Sequence, residues 1–215
     1  MTNSIKAAIF DMDGTLIDSM WVWQSIDVEY LKQKNLSFPE NLRSDIEHLG
    51  FQDTAEYFKN RFNLKDSVEE IINDWTQMAY KHYAYDIKLK PYAKEYLTYL
   101  KNKGIKIGLA TSNSHLLVKT ALKPLGIYDL FDSITITDEV KKDKSFPDVY
   151  LLAAKRLGAN PNECVVFEDI LPAVLSAKKA GMTVVAVHDE FSENNILDIK
   201  NEAHKFIHSY NELIA

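Results

Sequence analysis

Two aspartates with one residue between them, Asp11 and Asp13, directly follow a short apolar run at residues 5–10. In an extended chain such residues point to the same side, so the two carboxylates can act together. One of them can attack a phosphorus atom and share a hard divalent cation, while the other gives and takes a proton. Gly14 then lets the backbone turn sharply away. This spacing therefore favours phosphoryl-transfer chemistry.

Two other structures could contain such a pair of aspartates. A calcium-binding EF-hand loop needs glycine at its sixth position and glutamate at its twelfth. Leu16 and Val22 occupy those positions, so that interpretation fails. A turn with two solvated acids is also conceivable, but acids at the end of an apolar strand are costly to leave without partners.

The elements that must position these acids alternate along the chain. Short runs rich in Ile and Val fit strands buried on both faces, at residues 5–10, 105–110, 163–167 and 183–187. Segments with helical spacing, bounded by Gly or Pro, lie between them at residues 92–102, 114–125, 147–157 and 172–180. Alternating strands and helices predict an α/β fold, with a Rossmann-like doubly wound parallel sheet.

Residues 18–88 interrupt this alternation with helical periodicity and no convincing strand. All three tryptophans, Trp21, Trp23 and Trp75, fall in this segment. A coil of this length is implausible inside a compact fold, and large aromatic side chains dominate cores. We therefore predict an α-helical domain at 18–88, inserted into a core made of residues 1–17 and 89–215.

The run Asp11-Met12-Asp13-Gly14-Thr15-Leu16 resembles the first motif of the haloacid dehalogenase superfamily. The continuation Ile17-Asp18-Ser19 and the helical insertion are similar to the subfamily with an α-helical cap, which includes β-phosphoglucomutases and many small-molecule phosphatases. The resemblance covers nearly the whole chain. It implies that Asp11 is the nucleophile, that Asp13 is the general acid and base, and that the cap closes to exclude water.

Further motifs follow in the order that this family uses. Thr111, Ser112 and Asn113, after the predicted strand 105–110, match the second motif, and Lys144 matches the third. The resemblance implies that the Thr111 hydroxyl and the N–H groups of Ser112 and Asn113 hold phosphoryl oxygens. It also implies that Lys144 binds the phosphate and neutralises charge on the nucleophile.

Glu168 and Asp169, at the end of the predicted strand 163–167, match the fourth motif. The resemblance implies a Mg²⁺ site made by these two acids with Asp11 and the carbonyl of Asp13. Four strand-end positions would then converge on one edge of the sheet, which supplies the groups that phosphoryl transfer needs.

The chain departs from the family pattern at four positions. Asp143 and Ser145 flank Lys144 where the family has Gly and Pro, and Ile170 and Ala173 replace a serine and a glycine. We expect Lys144 still to reach the site from a loop of altered stiffness. Ile170 lacks a hydroxyl that normally supports the metal-binding acids, so we expect this support to be missing at position 170.

These features predict a Mg²⁺-dependent phosphatase that hydrolyses a small phosphorylated metabolite through an aspartyl-phosphate on Asp11. A β-phosphoglucomutase-like sugar phosphomutase is the first alternative. It is disfavoured because Trp23 stands where mutases carry a histidine, and because residues 49–53 contain no arginine to grip a second phosphate. A non-catalytic regulatory module that accepts phosphate on Asp11 is the other alternative, and a large cap argues against it.

Composition excludes several other classes. Nucleic-acid binding needs a concentrated basic footprint, whereas the net charge is −6 and no long run of Lys and Arg occurs. Cys164 is the only cysteine, so neither an internal disulfide nor a cysteine-based metal site is expected. The apolar runs are too short for a signal peptide or a membrane span. We therefore expect a cytoplasmic protein with no nucleic-acid or membrane partner, with a monomer slightly favoured.

Overall fold

The computed structural model of the chain describes residues 5–46 and 51–214. Residues 47–50 lie outside the described residues, and two of them, 49 and 50, belong to the segment 49–53 that contains no arginine. The strands of the described part are β1 (Ala7–Phe10), β2 (Ile17–Asp18), β3 (Lys88–Leu89), β4 (Lys106–Thr111), β5 (Ser133–Ile136), β6 (Cys164–Glu168), β7 (Thr183–Val187) and β8 (Lys205–Ile207).

A parallel sheet has the strand order β5-β4-β1-β6-β7-β8. The chain first adds β4 and β5 on one side of β1, and then β6, β7 and β8 on the other. This reversal makes the sheet doubly wound, with its topological switch point between β1 and β6. The predicted fold class is confirmed.

Two of these strands, β5 and β8, were not predicted from the sequence. Both lie at the edges of the sheet, where a strand has a neighbour on one side only. β5 alternates Ser and Thr with Ile, and β8 begins with an exposed Lys205. Neither therefore shows the continuous apolar run that marks a strand covered on both faces.

The helices are α1 (Met20–Gln33), α2 (Leu42–Ile46), α3 (Phe51–Arg61), α4 (Val68–Tyr85), α5 (Ala93–Asn102), α6 (His115–Leu122), α7 (Asp148–Leu157), α8 (Leu171–Lys179) and α9 (Ile196–Glu202). Successive side chains of β1 pack on opposite faces of the sheet. Ile9 belongs to a buried core with Val149 of α7 and Val174 of α8. Phe10 packs instead against Tyr96 of α5 and against Tyr210, with ring centroids 6.3 and 6.2 Å away. Both faces of the sheet are therefore covered.

Contacts divide the chain into a helical unit, Met20–Asp86, and a larger unit made of the residues before and after it. Within the larger unit, β2 pairs antiparallel with β3, with Ile17 opposite Leu89. The two segments that connect the units therefore form a short ribbon.

The helical unit has an aromatic core of its own. Trp75 packs edge-on against Phe58 and Tyr30, with centroid distances of 4.9 and 5.8 Å. The side chains of all three are buried. Ser67 caps α4, because its hydroxyl accepts from the Glu70 N–H and the Glu70 carboxylate accepts from the Ser67 N–H. The described part of this unit contains four helices. Burial of the three aromatic rings stabilises it.

No helix within residues 5–46 and 51–214 has the length and apolar character that crossing a bilayer requires.

Replacing Phe58 with alanine should lower the free energy of unfolding by about 3–5 kcal/mol, because the ring is buried and its removal leaves a cavity beside Trp75. Urea unfolding followed by circular dichroism measures this change. Tyr85→Ala is the matched control, since Tyr85 is 84% exposed, and it should change the value by less than about 0.5 kcal/mol. Equal effects of the two substitutions would contradict the assignment of Phe58 to the core.

Candidate active site

The carboxyl ends of β1 and β6 meet at the switch point of the sheet. Phe10 is the register partner of Phe167, and the Asp11 N–H donates to the Phe167 carbonyl at 3.0 Å. Asp11 therefore leaves β1 beside the position where Glu168 ends β6. Open α/β sheets bind ligands in the crevice at such a point.

Three carboxylates gather there. Asp11, Glu168 and Asp169 each offer an oxygen within 4.8 Å of the others. They are 5%, 0% and 2% exposed, respectively. Buried like charges at this separation repel strongly, so the group is stable only with compensating positive charge or bound protons.

Lys144 supplies one positive charge. Its ammonium group bonds to Asp11 Oδ1 and, at 2.6 Å, to Glu168 Oε1. Burial by itself would lower the pKa of Lys144, but the charges of Asp11 and Glu168 outweigh it and raise the pKa above its ordinary value. The unusual neighbours of Lys144 form a local turn, in which Asp143 Oδ1 accepts from the Ser145 N–H at 2.8 Å.

When all three carboxylates are ionised, their total negative charge exceeds the positive charge of Lys144. With one ammonium group against three carboxylates, two negative charges remain unbalanced. Burial, together with Glu168 and Asp13, raises the pKa of Asp11 to about 8 despite Lys144. Burial and the neighbouring carboxylates likewise raise the pKa of Asp169 well above its usual range.

A divalent cation fits this group of acids. Among the described residues, Glu168 Oε2 and Asp169 Oδ2 are buried and have no hydrogen-bond partner, although buried oxygens of this kind are normally satisfied. A cation would satisfy both oxygens and balance the two charges. All the donors are carboxylate oxygens, which suit a hard ion such as Mg²⁺ or Ca²⁺.

The Asp13 carboxylate lies outside this acid cluster and has different partners. Its Oδ1 accepts from the Ser19 hydroxyl at 2.7 Å, and its Oδ2 accepts from the Asn113 side-chain amide at 3.1 Å. Between Asp13 and Ser19 the chain turns at Gly14. The φ angle of Gly14 is 79°, which lies in the left-handed region that glycine tolerates best. Sequence reasoning missed Ser19 as a partner, because a serine six residues beyond an aspartate has no distinctive pattern.

The predicted phosphate-binding residues follow β4. Thr111 is buried, and its Oγ1 accepts from the Asn113 N–H at 3.0 Å. That N–H was expected to hold a phosphoryl oxygen, but in this structure it closes a local turn instead. Ser112 is exposed, and the Ser114 hydroxyl accepts from the Leu117 N–H at the start of α6.

Two hydroxyl groups that sequence reasoning did not identify bind the acids. Tyr150 donates to Glu168 Oε1 at 2.7 Å, and Thr15 donates to Asp169 Oδ1 at 3.0 Å. Burial and the nearby Glu168 raise the pKa of Tyr150 well above its usual value, so the phenol stays protonated. The residue after Asp169 is Ile170, which has no hydroxyl group. Thr15 therefore supplies Asp169 with a hydroxyl partner from another part of the chain.

The fold and this group of side chains define a hydrolase-like α/β protein with a helical insertion. Comparison with known proteins matches residues 8–187 to the haloacid dehalogenase-like hydrolase family. The chain belongs to this family, which confirms the predicted family and the hydrolase class.

Individual relatives extend the similarity over most of the chain. YhcW of Bacillus subtilis (strain 168) is 35% identical over 188 residues, covering 85% of this chain and 83% of its own length. A phosphorylated carbohydrates phosphatase of Thermotoga maritima is 30% identical over 178 residues, covering 83% and 82%. A crystal structure of a haloacid dehalogenase hydrolase of Entamoeba histolytica superposes with a TM-score of 0.82 at 26% identity, covering 97% and 95% of the chains.

The affinity of the protein for a divalent cation such as Mg²⁺ should increase as the pH rises towards 8. The pKa of Asp11 is raised to about 8, so below this pH the carboxyl holds a proton that the cation must displace. Each pH unit below the pKa should therefore weaken binding by up to about tenfold for each proton that the cation displaces.

Isothermal titration calorimetry at several pH values measures this dependence. Repeating the titration in two buffers of different ionisation enthalpy counts the protons released. An affinity that stays constant or falls with rising pH would contradict the charge balance described above.

Proposed function

We propose that the protein is a Mg²⁺-dependent phosphatase that hydrolyses a small phosphorylated metabolite through an aspartyl-phosphate on Asp11. The observation that carries this proposal is the cluster of three acids, Asp11, Glu168 and Asp169, against Lys144. Among the described residues, two buried oxygens of these acids have no hydrogen-bond partner. Family membership supports the same chemistry.

In the first step, a carboxylate oxygen of Asp11 attacks the phosphorus atom, and the bond from phosphorus to the ester oxygen breaks. Asp13 gives its proton to the departing oxygen, which leaves as an alcohol. In the second step, Asp13 takes a proton from water as the water oxygen attacks the same phosphorus atom. The bond between Asp11 and phosphorus breaks, which releases inorganic phosphate and restores both aspartates.

Asp13 suits the proton transfer because its carboxylate is held from two sides. Ser19 and Asn113 donate to its two oxygens, so its orientation is fixed before substrate binds. Ser19 and Asn113 are neutral, whereas Asp11 bonds to the charged Lys144. The two aspartates of the motif are therefore suited to different roles.

Positive charge must meet the phosphoryl group as negative charge develops on it. Lys144 contributes its ammonium group, and the Thr111 hydroxyl contributes a neutral donor. Bound Mg²⁺ would be held by Asp11, Glu168 and Asp169, and it would supply further electrostatic stabilisation of the transferring group.

Sugar and polyol phosphates are the substrate class that we propose. The support is the Thermotoga maritima relative, which is named as a phosphatase of phosphorylated carbohydrates. The net charge of −6 argues against a nucleic-acid substrate. The proposal includes a cytoplasmic location, which the single cysteine supports.

Asp11→Asn should reduce turnover by at least about 10³-fold, because the amide is a far weaker nucleophile than the carboxylate. The change keeps the size of the side chain, so the melting temperature should show a folded protein. Asp198→Asn, at an exposed position of α9, is the matched control and should keep full activity. Release of inorganic phosphate is the measurement. Near-full activity of Asp11→Asn would refute the assignment of the nucleophile.

A screen of phosphorylated metabolites should give the highest activity on a sugar or polyol phosphate. The activity should disappear with a chelator and return with added Mg²⁺, because the acids need the cation for charge balance. No phosphate release from any compound, or no effect of the chelator, would count against the proposal. A coupled isomerase assay belongs beside it, since isomerisation of a hexose phosphate without phosphate release would indicate a mutase.

A further inference from the structure

The two oxygens of Glu168 have unequal surroundings. Oε1 accepts two hydrogen bonds, from Lys144 Nζ at 2.6 Å and from the Tyr150 hydroxyl at 2.7 Å. Oε2 is buried and has no partner among the described residues. The bare oxygen is therefore the one that is available to a cation.

We propose that Tyr150 is a positioning residue, whose hydroxyl fixes the carboxylate plane of Glu168 so that Oε2 is presented to the divalent cation. The inference rests on the proposed function, because it takes Glu168 as a metal ligand.

Lys144 by itself does not fix this orientation. Its ammonium group is shared between Glu168 and Asp11, at the end of a flexible side chain. The last torsion of a glutamate side chain has a broad, roughly two-fold energy profile. A carboxylate with one mobile donor can therefore rotate, and rotation exchanges the two oxygens.

Tyr150 is better suited to the task because close packing restricts its ring. It lies in the first turn of α7, it is 0% exposed, and it belongs to the core cluster that includes Ile9 and Val166 of the sheet. Tyrosine has only two side-chain torsions, and close packing holds both. The phenol therefore donates from a fixed position, and the carboxylate adjusts to it.

Asp169 shows the same arrangement independently. Thr15 donates to Oδ1, while Oδ2 is buried and has no partner among the described residues. In both acids, a hydroxyl engages one oxygen and leaves the other for a cation. This repetition supports a positioning role for Tyr150, since an incidental hydrogen bond would give no reason for the second acid to match.

The test is the affinity of the metal-free protein for Mn²⁺, measured by electron paramagnetic resonance, with Tyr150→Phe as the variant. Tyr150→Phe should bind Mn²⁺ about tenfold more weakly, the usual effect of removing a partner of a metal ligand. In the phosphatase assay, KM for substrate at saturating Mg²⁺ should stay unchanged. Tyr96→Phe, another buried tyrosine of the same unit, should bind Mn²⁺ like the wild type.

Melting temperatures first establish that each variant is folded. If Tyr150→Phe does not fold, 4-fluorophenylalanine at this position fills the space of the hydroxyl without donating, and it should show the same loss. A folded variant whose Mn²⁺ affinity stays within about twofold of the wild type would overturn the positioning role while leaving the proposed function intact. A wild-type protein that binds no Mn²⁺ and hydrolyses no phosphate ester would overturn both.

Discussion

The structure of this site depends on an excess of buried negative charge. Asp11, Glu168 and Asp169 lie together, and in the described part of the chain Lys144 is the cation that bonds to them. Burial and, after it, the neighbouring carboxylates raise the pKa values of Asp11 and Asp169. In water such a cluster would be screened, but here helices cover both faces of the sheet. The low-dielectric surroundings that make the acids costly also make their attraction for a divalent cation strong.

Backbone hydrogen bonds keep this unfavourable group together. The register between β1 and β6 sets Asp11 beside Glu168, and the stacked rings of Phe10 and Phe167, 4.3 Å apart, support both strand ends. The turn after Asp11 is held from the far end of the chain, because the Tyr210 hydroxyl donates to the Thr15 carbonyl at 3.2 Å. Segments remote in sequence therefore hold the site in shape.

Much of the fold could be predicted because its central strands have a local signature. A strand covered on both faces must be apolar throughout, so β1, β4, β6 and β7 are visible as runs of Ile, Val and similar residues. The edge strands β5 and β8 could not be found in this way. Their formation depends on pairing with a neighbour that is already in place, and pairing leaves no local pattern.

The sequence by itself determined which acids end the central strands, since Asp11 and Glu168 each follow an apolar run directly and Asp169 comes next after Glu168. Only the tertiary structure decided how those acids are held. Tyr150 reaches Glu168 across 18 positions, and Thr15 reaches Asp169 across 154. The physical reason is that a hydrogen bond between side chains depends on where the folded backbone places donor and acceptor, whereas the end of an apolar strand is marked by the residues themselves.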